Sequence, residues 1–500
     1  PWFMVKPQPS DHRFSGADWT LPAFNIVAQA FLLGEQWWHS AASGLHGVSK
    51  GNAAIVDFVI RQCLDAAAPS NFALSNPEVL RQMMDSGGGN FVSGWHNWLD
   101  DCRKRFGSQS SEPARFVVGK DVAATEGKVV YRNELIELIQ YAPVTADVCP
   151  EPLLIIPAWI MKYYILDLSP QNSLIRFLVE RGFTVFAISW RNPGPADRDL
   201  GLDHYRRLGV EAAIDAINQI APGRAIHATG YCLGGTLLAI AAARLQKERP
   251  GCLRSVTLLA AQVDFTEAGE LTLFINESQV AFLEDMMWRR GVLDAPQMAG
   301  AFQLLRSNDL IWSRLVRDYL IGQRDAPSDL MSWNADATRM PYRMHADYLR
   351  KLFLDNDLAE GRYVVDGQPV ALSDLRVPMF VVGTMRDHVA PWRSVHKIHL
   401  LAEADITFAL ASGGHNAGIV APPSEDGHTY QVLEKKKDQP YVGPDEWLQK
   451  APHREGSWWL EWVRFLTAHS DAWVAAQPSL HTPEGGPPLE DAPGQYVLEH

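Results

Sequence analysis

The sequence predicts an α/β fold in which the strands of a largely parallel sheet alternate with helices. Three observations predict it: short apolar runs of strand length recur along the chain, helical segments separate them, and a glycine-flanked cysteine directly follows one run. The runs occupy residues 153–156, 184–189, 256–260 and 379–382, and residues 173–181 form one of the helical stretches. Because right-handed crossovers connect strands that alternate with helices, we expect these runs to lie parallel in one sheet.

The composition excludes several classes of protein. Of the 500 residues, 47% are hydrophobic, which is enough for one large domain and a smaller one. The formal net charge of -13 argues against a nucleic-acid-binding protein, and no apolar run reaches the length of a membrane span. The chain begins at Pro1 without methionine or an apolar leader, so we expect no secretory signal; the alternative is that an earlier segment has been removed. The odd number of cysteines fits a reducing cytoplasm.

Neither the cysteines nor the histidines predict a metal site. The five cysteines lack C-x-x-C spacing, which indicates neither a disulfide framework nor a zinc site. His396 and His399 share one helical face, but no third ligand accompanies them. We therefore expect no metal and no bound cofactor.

Residues 1–107 predict a helical N-terminal domain. Phe24, Val27 and Phe31 fall on one helical stripe. Asn76 followed by Pro77 is typical of a helix start, because Asn caps the first turn and Pro fits its first position.

Residues 108–472 are expected to form the main domain. Antiparallel strands lead into its sheet at 116–118, 128–131 and 138–141. Residues 265–375 interrupt the alternation of strands and helices, and an insertion at this point is well placed to act as a lid over a site. The alternative is a helical decoration with a structural role only. The tail, residues 473–500, either is flexible or packs on the core.

The glycine-flanked cysteine lies in Gly230-Tyr231-Cys232-Leu233-Gly234-Gly235. An apolar strand, residues 225–229, precedes this motif, and a helix, residues 236–246, follows it. A nucleophile elbow has this order, and it would expose Cys232 at the carboxyl end of the sheet, near the positive end of a helix that favours the thiolate. The alternative is a buried core cysteine beside a tight turn.

An acid and a histidine follow in the order that an elbow nucleophile requires. Asp387 lies in the loop after the strand at 379–382, and His415 lies in a glycine-rich loop after 406–411, the last strand that we expect. His388 is a rival base and Asp264 a rival acid. The order of nucleophile, acid and histidine predicts an α/β-hydrolase fold with a helical lid insertion and a helical N-terminal domain.

An oxyanion hole needs two backbone N–H groups. One is expected from Leu233, the residue after the nucleophile. The other is expected from the loop after the strand at 153–156. Because Pro157 has no N–H, Trp159 is the first choice and Ala158 the second.

With these residues assembled, the chain resembles the polyhydroxyalkanoate synthases, and among them the class I enzymes. The resemblance spans roughly residues 113–465 and is carried by several specific stretches: Pro157 to Leu168, Ser189-Trp190-Arg191-Asn192-Pro193, Gly230 to Gly235, Trp333-Asn334-Ala335-Asp336, Asp387-His388, Gly414-His415 and Gly456-Ser457-Trp458-Trp459. Ala158 and Met161 depart from the family's usual proline and asparagine, which puts the acyl pocket in doubt but leaves the triad untouched.

The resemblance implies an enzyme that polymerises (R)-3-hydroxyacyl-CoA, with 3-hydroxybutyryl-CoA as the expected substrate, into a polyester stored in cytoplasmic granules. Cys232, His415 and Asp387 would be its triad, and the substrate would carry the only coenzyme A. A cysteine acyl-enzyme is itself a thioester, so it keeps the acyl group activated for the next hydroxyl. The resemblance also implies a homodimer and contacts with the growing chain, the granule surface and granule-associated proteins.

Two other functions remain open from the sequence. A cysteine thioesterase or depolymerase would share the triad and pass the acyl group to water. A non-catalytic granule-coating protein would use the N-terminal helices and their paired tryptophans on an apolar surface. For the enzyme, these helices are expected to serve granule association, partner binding or dimer stabilisation, with simple packing on the core as the alternative.

Overall fold

The computed structural model describes residues 4–7, 11–42, 46–105, 116–297, 300, 307–324, 326–477 and 479–500. The chain forms two compact units: Pro1–Arg115 with Pro296–Pro327, and Phe116–Ala295 with Ser328–His500. The predicted boundary between residues 107 and 108 lies outside the described residues. Part of the insertion that was expected to form a lid thus belongs to the first unit.

The first unit is helical, as the apolar stripe predicts. Its α-helices from the N-terminal region are Pro22–Ala42, Lys50–Ala67, Pro77–Asp85 and Gly89–Arg105. Three consecutive helical pieces come from the insertion: Asn308–Trp312, Ser313–Leu315 and Val316–Ile321. Asn76 caps its helix by accepting hydrogen bonds from the N–H groups of Glu78 and Val79. The amide of Asn90 donates to the main-chain oxygen of Leu320 at 2.7 Å, so the insertion piece is tied to the N-terminal helices within this unit.

The second unit contains a sheet of eleven strands among the described residues. In chain order they are β1 Gly127–Arg132, β2 Ile136–Tyr141, β3 Leu153–Ile156, β4 Val185–Trp190, β5 Ile226–Tyr231, β6 Leu253–Leu259, β7 Met379–Thr384, β8 Ile406–Ala411, β9 Thr429–Lys435, β10 His453–Glu455 and β11 Glu490–Asp491. Their order across the sheet is β10-β9-β8-β7-β6-β5-β3-β4-β2-β1-β11. Two-residue strands also pair outside it: Asp147–Val148 with Val474–Ala475, Val292–Leu293 with Met340–Pro341, and Val364–Val365 with Gln368–Pro369.

The six central strands, β3 to β8, are parallel, which confirms the predicted sheet. They are almost entirely buried, as strands covered by helices on both faces must be. The expectation that residues 406–411 end the sheet was wrong, because β9 and β10 extend it with antiparallel strands. The strand expected at 116–118 was also wrong: the main-chain oxygen of Val117 accepts from Lys120 and Asp121 in a tight turn around Gly119.

Helices flank this sheet in the second unit. The α-helical and π-helical segments are Leu174–Val179, Leu202–His204, Tyr205–Glu211, Ala212–Ile220, Leu233–Glu248, Glu277–Arg290, Asp329–Ala335, Tyr342–Asp347, Tyr348–Leu354, Trp392–His396, Ile398–Leu401, Pro444–Lys450 and Trp459–Ala468. Single 3-10 turns across both units are Ala17–Thr20, Pro69–Asn71, Tyr163–Leu166, Pro195–Asp197, Gly269–Phe274, Leu372–Asp374 and Tyr496–Leu498. Within the described part of the chain, no helix is both long and apolar enough to cross a membrane.

The C-terminal segment packs within the second unit, which decides between the two alternatives for the tail. Its strand β11 pairs with β1 at the edge of the sheet. Val497 is buried in the core, and the hydroxyl of Tyr496 donates to the main-chain oxygen of Asn133 at 2.6 Å. The strand-like run at 495–498 forms a 3-10 turn rather than a strand.

Candidate active site

Cys232 stands between the end of β5 and the helix Leu233–Glu248. Its backbone has φ 52° and ψ -123°, a conformation that residues with a Cβ rarely adopt. The N–H group of Cys232 donates to the main-chain oxygen of Leu259 on the neighbouring strand at 2.9 Å, which anchors the turn. Strained backbone at a strand-to-helix turn is the geometry of a nucleophile elbow.

Two neighbouring glycines make this turn possible. A Cβ on Gly230 would lie 2.3 Å from the Cα of Gly235, and a Cβ on Gly234 would lie 2.2 Å from the main-chain oxygen of Ile156. No side chain fits at either position. The first turn of the helix therefore packs directly against the end of β3 and the loop that follows it.

Asp387 lies in the loop after β7, and its carboxylate is fully buried. One oxygen accepts hydrogen bonds from the N–H groups of Val389 and Ala390, at 2.9 and 2.8 Å. The other accepts from the hydroxyl of Thr384 at 2.8 Å and contacts the imidazole of His415 at 2.8 Å. Burial alone would raise the pKa of this carboxyl, but the charge and hydrogen bond of His415 and these donors hold the pKa below its usual value.

His415 lies in the loop after β8, and its Nδ1 faces Asp387. Cys232 lies close enough to the same ring for its charge to act on the pKa of the imidazole. Burial lowers the pKa of His415, but the charges of Asp387 and Cys232 outweigh it and raise that pKa well above its ordinary value. Because Nδ1 faces the carboxylate, Nε2 is the nitrogen that can exchange a proton with the thiol.

The structure thus brings together Cys232, His415 and Asp387 from the ends of three parallel strands. The rival acid, Asp264, is engaged elsewhere: one of its oxygens accepts from the N–H and hydroxyl of Thr266 and lies 3.6 Å from the ammonium of Lys397. The hydrogen bonds of Asp387 occupy both of its oxygens, with His415 as the imidazole partner, and this geometry favours His415 over His388 as the base.

The two predicted oxyanion donors belong to adjacent segments. Leu233 is the first residue of the helix after the nucleophile, where N–H groups have no partner within the helix. Trp159 lies buried in the loop after β3, and its main-chain oxygen accepts from the hydroxyl of Thr338 at 3.3 Å. The main-chain oxygen of Pro157 accepts from the indole of Trp190 at 2.9 Å. These bonds hold the loop from both sides.

The insertion also reaches this loop. The indole N–H of Trp333 donates to the main-chain oxygen of Lys162 at 2.8 Å, and Met161 forms a β-bridge with Ala337. Tyr348, another residue of the insertion, is half-buried, and both burial and the charge of Cys232 raise the pKa of its phenol. Within the second unit, residues of the insertion therefore contact the loop after β3 and lie near the thiol of Cys232.

Sequence reasoning missed three residues around the triad, of which Thr384 contacts Asp387 and Tyr231 contacts His415. Thr384 is the last residue of β7, Tyr231 directly precedes Cys232, and Asn416 directly follows His415. The hydroxyl of Tyr231 donates to the side-chain oxygen of Asn416 at 2.6 Å. Adjacency to the predicted nucleophile and base was the available signal, but the contact itself depends on the fold.

One group in the described residues has donors that could hold a metal ion. The ligand atoms of Cys149, Glu151 and His227 all lie within 4.8 Å of one another and are buried. Each donor already has a protein partner: His227 contacts the hydroxyls of Ser255 and Ser470 at 2.7 and 3.1 Å, and Cys149 contacts Ser470 at 3.1 Å. The group therefore satisfies its hydrogen bonds without an ion, and we assign it no metal.

His396 and His399 border a cavity of about 360 Å³ that Leu433 and Trp447 also line. Burial lowers the pKa of His396 to about 3 and that of His399 to about 4, so both imidazoles are neutral. Aromatic rings, including those of Phe408 and Trp447, pack against His396. The pair is part of an aromatic cluster.

Comparison with known proteins agrees with this geometry. Residues 10–178 match the family described as the N-terminus of poly-beta-hydroxybutyrate polymerase (PhaC), and residues 151–422 match the alpha/beta hydrolase fold, which confirms the predicted fold class. A poly(3-hydroxyalkanoate) polymerase of Methylorubrum extorquens is 41% identical over 99% of this chain and 82% of its own length.

Two further relatives are described as subunits of such a polymerase. The protein of Rhizobium etli is 38% identical over 99% of this chain and 78% of its own length. The protein of Cupriavidus necator is 36% identical over 97% of this chain and 83% of its own length. Identity at this level over nearly the whole chain shows the family: the chain is a member of the poly(3-hydroxyalkanoate) polymerases, acyltransferases built on the α/β-hydrolase fold.

Proposed function

We propose that this protein polymerises (R)-3-hydroxyacyl-CoA, with 3-hydroxybutyryl-CoA as the substrate, into polyhydroxyalkanoate and releases CoA. The observation that carries the proposal is the thiol of Cys232 at the strained elbow, beside the His415–Asp387 pair, in a chain that belongs to this family. A thiol forms a thioester with the acyl group. The acyl-enzyme therefore stays activated for a second transfer.

In the first step, Nε2 of His415 accepts the proton of the Cys232 thiol, and the thiolate attacks the thioester carbonyl. The N–H groups of Leu233 and Trp159 are proposed to bind the oxyanion. The carbon–sulfur bond to CoA then breaks, and the leaving thiolate takes the proton from His415. The products are the acyl-cysteine and free CoA.

In the second step, the 3-hydroxyl of an acyl group attacks the acyl-cysteine thioester, and an ester bond replaces the bond to sulfur. We propose that His415 accepts the hydroxyl proton and passes it to the departing thiolate of Cys232, which regenerates the free thiol. The two oxygens of the buried Asp387 carboxylate already take part in four hydrogen bonds. The partners are Thr384, Val389, Ala390 and His415, so no position is open for a substrate hydroxyl. Asp387 instead orients the imidazole and stabilises its positive charge.

The experiment combines purified protein with (R)-3-hydroxybutyryl-CoA and follows free CoA thiol and turbidity together. We expect CoA release with insoluble polyester, and we expect Cys232→Ala to lose both. Release of CoA with soluble 3-hydroxy acid would mean a thioesterase. CoA release that persists in Cys232→Ala would overturn the assignment of the nucleophile.

We also propose that the insertion keeps water from the acyl-cysteine. The half-buried Tyr348, whose phenol senses the charge of Cys232, and the contact of Trp333 with the loop after β3 support this role. Replacing Tyr348 with alanine should open space beside the thiol and raise the ratio of free 3-hydroxy acid to polymer. An unchanged ratio, with CoA release intact, would contradict the proposal.

For the first unit we propose contact with the apolar surface of the polyester granule. Paired tryptophans are exposed on its helices, with 61% of Trp37 and 56% of Trp95 accessible, and the rings of Trp95 and Trp98 stack at 4.8 Å. Replacing these tryptophans with serine should reduce the fraction of enzyme that sediments with granules. We further propose a homodimer, which light scattering of the purified protein would test.

A further inference from the structure

Tyr231 links the strand that bears the nucleophile to the loop that bears the base. It is the last residue of β5 and directly precedes Cys232. Its hydroxyl donates to Oδ1 of Asn416, the residue after His415, at 2.6 Å. Its ring also stacks on the imidazole of His415, with centroids 5.6 Å apart and planes at 29°.

The hydrogen bond between Tyr231 and Asn416 is shielded from solvent on the tyrosine side. A hydrogen bond in such surroundings is stronger than one in water. Tyr231 is 3% exposed. Burial and the nearby charges of Cys232 and Asp387 raise the pKa of the phenol, so it keeps its proton and acts as the donor. Asn416 offers its side-chain oxygen as a neutral acceptor and adds no charge beside the imidazole.

The other contacts of the loop hold its main chain. The main-chain oxygen of Asn416 accepts from the N–H groups of Ile419 and Val420, at 3.0 and 2.9 Å. The indoles of Trp458 and Trp459 donate to the main-chain oxygens of Gly418 and Ile419, both at 2.9 Å.

The imidazole itself is held by fewer contacts. Asp387 binds it at Nδ1 alone, and a single hydrogen bond leaves the ring free to tilt about that contact. The stacked ring of Tyr231 limits that tilt, and its bond to the side chain of Asn416 ties the residue after the base to the end of β5.

We propose that Tyr231 is a positioning residue, which acts through Asn416 and through its stacked ring to hold the imidazole of His415 at the thiol of Cys232. The inference rests on the proposed roles of Cys232 and His415 but not on the identity of the acyl substrate. It requires that the hydroxyl of Tyr231 and the amide of Asn416 act as one unit.

The experiment compares Tyr231→Phe, which keeps the ring and removes the donor, with Asn416→Ala, which removes the acceptor, and with the double variant. Tyr430→Phe is the matched control, because Tyr430 is a buried tyrosine of the same sheet whose hydroxyl contacts the side chain of Glu461. The first readout is the alkylation of Cys232 by iodoacetamide as a function of pH, followed on the Cys232 peptide by mass spectrometry. This readout needs no substrate.

We expect the alkylation of Cys232 at pH 7 to be about tenfold slower in both single variants, because the imidazole of His415 is no longer held at the thiol, and the pH–rate profile to differ from that of the parent. The kcat of CoA release should be about tenfold lower, with little change in KM. A tenfold loss is what the removal of one buried hydrogen bond is expected to cause. The double variant should resemble the single variants, because one contact is removed in each case. Tyr430→Phe should match the parent.

Profiles that coincide with the parent, or a double variant whose loss is the product of two independent losses, would overturn the positioning role. If Tyr231→Phe does not fold, Asn416→Ala alone decides by the same profile. A parent protein whose CoA release survives Cys232→Ala would instead overturn the proposed function, so the two failures are distinguishable.

Discussion

The ammonium of Lys162 donates hydrogen bonds to the main-chain oxygens of Glu499 and Tyr496, and it thereby joins the loop after β3 to the C-terminal segment. Lys162 is almost fully buried, and burial lowers its pKa. The same loop carries Trp159. The C-terminal segment therefore supports the loop that we propose for the oxyanion, although more than 300 residues separate the two in sequence.

Replacing Lys162 with methionine should release the C-terminal segment. Methionine fills a similar volume but cannot donate to the two carbonyl oxygens. The loss of these hydrogen bonds should weaken the docking of the C-terminal segment by about 1–3 kcal/mol. Hydrogen exchange of the Tyr496–Leu498 amides should become at least about tenfold faster. The surface variant Lys450→Met is the control, and unchanged protection in Lys162→Met would contradict this account of the contact.

Replacing Gly234 with alanine should disrupt the elbow. A Cβ there would meet the main-chain oxygens of Ile156 and Pro157 at 2.2 and 2.5 Å, so the helix or the loop must move. We expect a loss of more than about 2 kcal/mol in the free energy of unfolding, as for other overpacked sites, together with loss of CoA release. Gly443→Ala is the control, because nothing lies within 4 Å of that position. Equal stability of the two variants would refute the close approach.

Replacing Asp387 with asparagine should impair catalysis and change its dependence on pH. The charge of Asp387 is the main influence that raises the pKa of His415 against burial, so the variant's imidazole should lose its proton at lower pH. The acid limb of CoA release should move to lower pH while kcat falls by about 10²–10⁴, because the amide no longer holds the required tautomer. An acid limb at the parent's position would argue against this pairing, and Asp405→Asn serves as the control.

His227 should make the protein less stable in acid. Burial lowers its pKa from 6.5 to about 3, so between these values the unfolded chain binds a proton that the folded chain does not. Its contribution to stability is therefore fully present above pH 6.5 and falls with decreasing pH, by at most about 1.4 kcal/mol per pH unit. Urea unfolding of His227→Gln between pH 7 and pH 4 should show a shallower dependence than the parent.

The exposed His453 provides the comparison for that experiment. His453→Gln should leave the pH dependence of unfolding close to that of the parent, because the side chain of His453 is exposed to solvent in the folded protein. If the free energy of unfolding of His227→Gln depends on pH as steeply as that of the parent, other groups cause the acid sensitivity. His345, with a pKa of about 4, is one such group.

The sequence by itself determined the sheet, the elbow and the order of the candidate triad. Buried parallel strands are nearly continuous apolar runs, so β3 to β8 can be predicted from their own residues, without knowledge of the strands they pair with. Glycines around Cys232 are equally legible, because only they fit where a helix begins against a neighbouring strand. Asp387 and His415 were found because each follows such a strand.

Only the tertiary structure decided the contacts between residues distant in sequence. The antiparallel strands β10 and β11 have three and two residues, and β9 is only partly buried, so their composition does not distinguish them from loops. The bonds from Tyr231 to Asn416 and from Lys162 to Glu499 join segments 185 and 337 residues apart. Such pairs carry no periodic pattern, since their proximity is a property of how the strands and loops pack rather than of the residues that meet.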